Sequence, residues 1–178
     1  WTAALYLDFE HPAGQSLKQV ATKAVMFHGR FWEKGERPID MGLYVEYILP
    51  RKSHKAGEEL EIKWILEKDF GFNSFVLNPT FEKITSGPGV GKGIELALNG
   101  GWYFRKSMKY QPGIELYSKW GELRDLSPLK ESKTYIFPAI DIIFGTQGNI
   151  TWHTGAGFGL TNPADNFVFK SILSIGFF

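Results

Sequence analysis

Hydrophobic and polar residues alternate along almost the whole chain, in runs separated by turn-forming segments. The clearest run is residues 39–49. Ile39, Met41, Leu43, Val45, Tyr47 and Leu49 fall on one parity, and Asp40, Gly42, Tyr44 and Glu46 on the other. Successive side chains of an extended strand point to opposite faces, so a period of two predicts a strand with one apolar and one polar face. Read this way, the chain gives ten strands: residues 1–9, 19–32, 39–49, 59–69, 74–83, 93–105, 109–120, 133–144, 149–160 and 167–178. None carries a sustained 3.6-residue apolar period; residues 14–20 allow at most one short helical turn.

The connections alternate in character. Residues 70–73, 105–109 and 145–149 are tight, whereas 84–92 and 121–132 are longer and rich in glycine, proline or charge. Pro79, Pro112 and Pro138 fall inside predicted strands on the apolar parity. Each removes a ladder donor, so bulges or strand ends are expected to absorb them.

Short turns at one end and long loops at the other, between strands with one apolar face, resemble a bacterial outer-membrane β-barrel. The resemblance implies an all-β, closed, antiparallel, up-and-down transmembrane barrel of about ten strands, formed by a single domain of residues 1–178 in the outer membrane of a Gram-negative bacterium. The tight turns are then periplasmic and the long loops extracellular. The largest excursion is 121–132, which carries Glu122, Arg124, Asp125, Lys130 and Glu131. Trp1 opens inside a strand with no signal peptide before it, as a mature or trimmed chain would, and the strand number becomes twelve if two precede it.

The tail points the same way. Phe167, Phe169, Leu173, Ile175 and Phe177 share a parity and the sequence stops at Phe178. This is similar to the C-terminal β-signal read by the barrel assembly machinery, which implies an assembly role for Phe169, Leu173, Ile175, Phe177 and Phe178. The apolar parity ends on Phe177, one residue earlier than in the usual signal. The stretch from Gly155 to Asp165, Gly-Ala-Gly-Phe-Gly-Leu-Thr-Asn-Pro-Ala-Asp, resembles barrels grouped with putative transporters of the phenol-degradation MetA type.

Composition narrows the chemistry. The chain has no cysteine, which excludes disulfides and thiolate metal sites, and a formal charge of +1, which gives no reason to expect nucleic acid. No run approaches the ~20 apolar residues of a membrane helix. Mean hydropathy is -0.18, a value that half-polar barrel strands tolerate. Four histidines lack ligand-type spacing, so no metal or cofactor is expected. Residues 87–93 superficially resemble a phosphate loop, but Gly93 follows Lys92 where Ser or Thr is required, and a strand follows where a helix should open.

On the polar face, Glu46, Glu61, Lys63, Glu95, Arg105, Glu115, Lys119, Asp141, His153 and Lys170 are expected to line the lumen. On the apolar face, Leu43, Val45, Ile62, Leu96, Leu98, Leu116, Ile140, Ile142 and Ala156 are expected to meet lipid, with Trp64, Trp102, Trp120 and Trp152 forming an aromatic girdle. A turn centred on Ser107 sets Glu95 opposite Lys119; one centred on Gln147 sets Asp141 opposite His153. An Asp–His pair suits a general base, with Thr151 and Ser174 as nominal nucleophiles; a cross-strand charge pair is the simpler expectation. Ten strands lie near the size that side chains fill. The chain is therefore expected to be non-enzymatic, with a narrow or plugged lumen passing at most a small solute, and to have outer-membrane lipid and lipopolysaccharide as partners. Two alternatives differ in chemistry. An outer-membrane enzyme at the extracellular rim needs a nucleophile or paired acids near the long loops. A soluble lipocalin-like barrel with a hydrophobic ligand needs the apolar face turned inward.

Overall fold

The computed structural model describes residues 2–10, 16, 18–51, 53, 56–145 and 148–176. They form ten strands: β1 (Thr2–Glu10), β2 (Lys18–Arg30), β3 (Asp40–Pro50), β4 (Glu58–Phe70), β5 (Asn73–Ser86), β6 (Glu95–Phe104), β7 (Tyr110–Glu122), β8 (Lys133–Phe144), β9 (Ile150–Gly159) and β10 (Phe167–Ile175). The strands follow one another in a single sheet in chain order, β1 to β10. The described ladders β1–β2, β2–β3, β7–β8, β8–β9 and β9–β10 are all antiparallel. This is the expected all-β, up-and-down order. Of the possible helical turn at 14–20, residues 18–20 open β2, while residues 14, 15 and 17, like Phe177 and Phe178, lie outside the described residues. Among the described residues no helix is long and apolar enough to cross a membrane, which bears on helical spans alone.

The chain divides into two compact units. The first holds residues 1–66, 79–96 and 122–126; the second holds 67–78, 97–121 and 127–178. Strands β4 to β7 each contribute to both, so the units are not successive segments.

Loop lengths follow the expected alternation from β4 onward. Only Gly71 and Phe72 separate β4 from β5, with Gly71 in the left-handed region at φ 57°, where glycine has no Cβ to clash. Residues 123–132 form the longest connection between these strands. The β2–β3 connection breaks the pattern: by strand alternation it belongs with the tight turns, yet it spans residues 31–39. It is tied down locally, the Gly35 amide donating to Asp40 Oδ1 at 2.6 Å and the Trp32 indole to the Ile39 carbonyl at 3.2 Å.

Just before β6 and just after β7, the Leu123 amide donates to the Ile94 carbonyl at 2.7 Å. The prolines are accommodated without the bulges or strand ends expected of them. Pro112 pairs with Ile140 and Pro138 with Ile114 in a β7–β8 ladder whose register does not shift. The β8–β9 ladder keeps its register across Pro138 too. Ile136 pairs with Phe158 and Ala139 with Gly155, while the register skips Phe137 and Pro138. Residue numbers on both sides of the gap give the same sum, so the strand passes Pro138 without a bulge. Even-numbered β8 residues hydrogen-bond towards β9, as the Leu160 amide to Thr134 carbonyl bond shows. Position 138 is therefore where an amide is due and proline has none.

Candidate functional site: a buried carboxylate network in the second unit

Strand parity sorts the side chains of the second unit into two unlike faces. On β7, Glu115 is 5% exposed while Leu116 beside it is 46% exposed. On β8, Phe137 and Ala139 are buried and Pro138 is exposed; on β9, Gly155 and Gly157 are buried and Phe158 is exposed. Along β10, Phe169 is 64% and Leu173 61% exposed. Large apolar side chains lie bare on one face, while the other covers a carboxylate among small and aromatic residues, which reverses the order expected of a sheet solvated by water.

Glu115 is the centre of the covered face. Its Oε1 accepts from the Tyr103 hydroxyl, and its Oε2 accepts from the Tyr117 hydroxyl at 3.1 Å and from the Lys170 ammonium. Lys170 also donates to the Tyr117 hydroxyl at 2.8 Å and lies 4.9 Å from the centroid of the Tyr117 ring. His153 joins the network from β9. Its Nδ1 is hydrogen-bonded to Asp141 Oδ1 at 2.6 Å, and its buried Nε2 stands 3.4 Å from Glu115 Oε1. A carboxylate taken from water needs several donors and a cation to offset desolvation, and this one has them.

Glycines make the convergence possible. A Cβ at position 113 would come within 2.5 Å of the Tyr103 ring and 2.6 Å of the Trp102 carbonyl oxygen. Gly113 thus lets the Tyr103 ring lie against β7 and carry its hydroxyl to Glu115. Likewise, a Cβ at position 157 would come within 2.2 Å of the Phe137 ring. Nearer the β4–β5 turn, Glu67 accepts from Ser74 Oγ at 2.9 Å and pairs with Arg105 at 3.5 Å. Between these groups lies a cleft of about 250 Å³ whose wall includes Asn78, Asn99, Gly101, Tyr103, Arg105, Glu115 and Asp141.

The expected residues are thus placed unevenly. Glu115, Asp141, His153 and Lys170 meet in one network, and Asp141 pairs with His153 in the ladder as expected. Arg105 stands at the cleft. Lys119 is exposed, opposite Lys133 in the β7–β8 ladder. In the first unit, Glu46 is 4% exposed and accepts from the Tyr44 hydroxyl. Lys63 pairs with Glu61 at 2.7 Å, and Glu95 is half-buried. On the apolar parity Leu116 is exposed, whereas Leu43, Val45, Ile62, Leu96, Leu98, Ile140, Ile142 and Ala156 are half-buried. Trp64 and Trp152 are exposed and Trp102 and Trp120 half-buried. The Trp102 indole donates to Asn73 and the Trp152 indole to Ser171, each at 2.9 Å. Phe169, Leu173 and Ile175 are exposed on β10. The roles of Tyr103 and Tyr117 as donors to Glu115 went unread in the sequence; the signal was their shared parity with Glu115 and the glycine at 113.

As catalytic machinery the arrangement is poorly suited. A general base must turn its free nitrogen to a substrate or nucleophile, whereas His153 Nε2 faces the Glu115 carboxylate. Thr151 and Ser174 sit opposite each other on β9 and β10, and the ring nitrogens of His153 address acids. Among the described residues no group of three His, Asp or Glu side chains has the geometry to hold a metal ion.

No family model matches this chain, and no curated protein or solved structure was found to be similar to it.

Proposed function

We propose that the chain is an outer-membrane β-barrel of a Gram-negative bacterium, non-enzymatic, whose sheet closes around a lumen largely plugged by its own polar side chains and passing at most a small solute. One observation carries the reading: adjacent residues of β7, Glu115 and Leu116, are 5% and 46% exposed. A hydrocarbon solvent around the sheet accounts for both, since it favours bare leucine and phenylalanine outside and drives charge to the covered face. The soluble lipocalin-like alternative requires the opposite arrangement. Outer-membrane lipid and lipopolysaccharide are then the surroundings of the apolar face, and Phe169, Leu173 and Ile175 the part of the tail that the assembly machinery would read. The resemblance to MetA-type putative transporters is compatible with this role.

The test begins with the purified chain. It should require detergent or lipid to stay dispersed and should migrate differently in gels before and after boiling. Leu98→Arg should destabilise it by roughly 2–4 kcal/mol if position 98 lies near mid-membrane. In a planar bilayer its conductance should be small or undetectable, and replacing Arg105 and Lys119 by alanine should raise it with a shift towards cations. A freely soluble monomer would restore the lipocalin-like reading, and a large stable conductance from the unmodified chain would refute the plug.

A further inference from the structure

A second cleft, of about 410 Å³, opens within the first unit where the β5–β6 connection meets the end of β7. Its wall carries three cations, Lys83, Lys92 and Arg124, and one acid, Glu122. The backbone gathers them. The Val90 amide donates to the Gly87 carbonyl at 3.2 Å and the Lys92 amide to the Gly89 carbonyl at 2.9 Å, so the glycine-rich stretch doubles back in two tight turns. The bond from the Leu123 amide to the Ile94 carbonyl brings Arg124 to the same place. The Lys83 ammonium donates to the Lys92 carbonyl, which uses one of its three donors. Among the described residues, Lys92 and Arg124 have no side-chain hydrogen bond or ion pair. A Cβ at position 93 would come within 2.6 Å of Glu122 Oε2, so the glycine there seats that carboxylate in the wall.

Three positive charges against one negative leave an excess of two. A phosphomonoester matches it, with about 1.5 to 2 negative charges at neutral pH and several strong acceptor oxygens. A carboxylate or a phosphodiester brings only one charge. Arginine and lysine give phosphate its short, charge-assisted hydrogen bonds. The cleft is also apolar at its edge, where Ile94 is 43% and Leu123 44% exposed. Lys83 stands on the β5 parity opposite to Thr80, which is 1% exposed, and so leaves the sheet on the side away from its covered residues. Bare isoleucine and leucine beside cations suit an anion that carries acyl chains better than a free one.

We infer that this cleft holds a lipid by a phosphomonoester headgroup. Lys92, Arg124 and the remaining Lys83 donors bind the phosphate oxygens, and the acyl chains lie against Ile94 and Leu123. The inference deepens the proposed contact with outer-membrane lipid and rests on that reading for the source of the lipid.

The experiment uses the full chain in micelles of a neutral detergent, with bound lipid counted by native mass spectrometry. The probes are phosphatidic acid, phosphatidylglycerol and diacylglycerol with the same chains, and glycerol phosphate as the head without chains. Phosphatidic acid should be retained best. Replacing Lys92 and Arg124 together by glutamine should weaken it about tenfold or more, through the loss of charge-assisted hydrogen bonds. Glu122→Gln should strengthen it by removing a like charge, a gain that misfolding cannot produce. Lys106→Gln, on an exposed turn outside the cleft, should change nothing. Equal retention of phosphatidylglycerol or diacylglycerol would overturn the inference. So would displacement of phosphatidic acid by an equal concentration of glycerol phosphate, or retention that the double variant leaves intact. A detergent-dependent, heat-modifiable chain that retains no phosphatidic acid refutes this inference alone; a freely soluble chain that binds it selectively refutes the membrane reading alone.

Discussion

The second unit holds the same three-part arrangement twice, in opposite surroundings. On the covered face, Tyr117 and Lys170 serve the carboxylate of Glu115, which is 7% exposed in its side chain. At the loop joining β9 to β10, Tyr135 donates to Asp165 at 2.7 Å and Lys133 pairs with it at 3.1 Å, where the two charged side chains are 48% and 66% exposed. The functional groups match, so what separates the two is solvent. Water screens and competes for the exposed trio, and such pairs contribute little. Glu115 has given up its water, so each partner it loses leaves a desolvated charge behind. Glu46 adds a third case: it is as covered as Glu115, and its hydrogen-bond partner among the described residues is the Tyr44 hydroxyl two positions before it.

Lys170→Met should have the largest effect. It leaves Glu115 buried without its cation, at a cost of about 3–5 kcal/mol, read as a lower urea midpoint for the chain refolded into detergent. Adding Glu115→Gln should recover most of the loss, because the orphaned charge goes with it. If Lys170→Met proves neutral, the two trios are equivalent and the comparison collapses. Next comes a pair of conservative changes. Tyr44→Phe should cost roughly 1–3 kcal/mol by stripping a donor from Glu46, and Tyr117→Phe nearer 1 kcal/mol, because Glu115 keeps other donors. The reverse order in urea titrations would mean that donors, not cations, hold Glu115. Lys133→Met should leave the urea midpoint unmoved.

The smallest effect is one of acidity. The Tyr135 hydroxyl and the Lys133 ammonium hold the Asp165 carboxyl below the usual carboxylate range. A depressed carboxylate gives stabilisation that is present above its unfolded pKa and fades as pH falls through the folded one. The loop of residues 160–166 should therefore stay anchored at neutral pH and loosen only in acid below the ordinary carboxylate range. Amide exchange at Asp165, whose N–H donates to the Tyr135 hydroxyl at 3.1 Å, should report it. Loosening at neutral pH would show that the trio holds nothing even locally.

The sequence was most readable where one periodicity governs the outcome. Alternation placed β8 at residues 133–144 and set Glu115 and Leu116 on opposite faces, because a strand has no other way to orient neighbours. The Asp141–His153 pairing was readable since the intervening connection is short and the β8–β9 register does not shift. The unbroken run of β7 and β8 through Pro112 and Pro138 was not, because a missing donor reads locally as a break in pairing. The meeting of Lys170 with Glu115 was hidden for another reason. Parity gives a face, but the chain separation between β7 and β10 leaves open which positions along that face come together. The cleft was hidden too, because the side chain that Gly101 lacks, on the parity of Asn99 and Tyr103, leaves no mark in an alternation of polar and apolar residues.

The missing amide at Pro138 bears on how the sheet would come apart under force. Strands β9 and β10 are joined by uninterrupted pairing from Phe167–Phe158 to Ile175–Ile150. The β8–β9 seam is broken in the middle at Phe137 and Pro138. A pull on the C-terminus should find that seam the weaker one and tear along it, so that β9 and β10 leave as a hairpin and not strand by strand. In single-molecule traces the first rupture should release the contour of two strands and their loop. Pro138→Ala, by restoring a donor towards Ala156, should close the break and turn that one long step into two short ones.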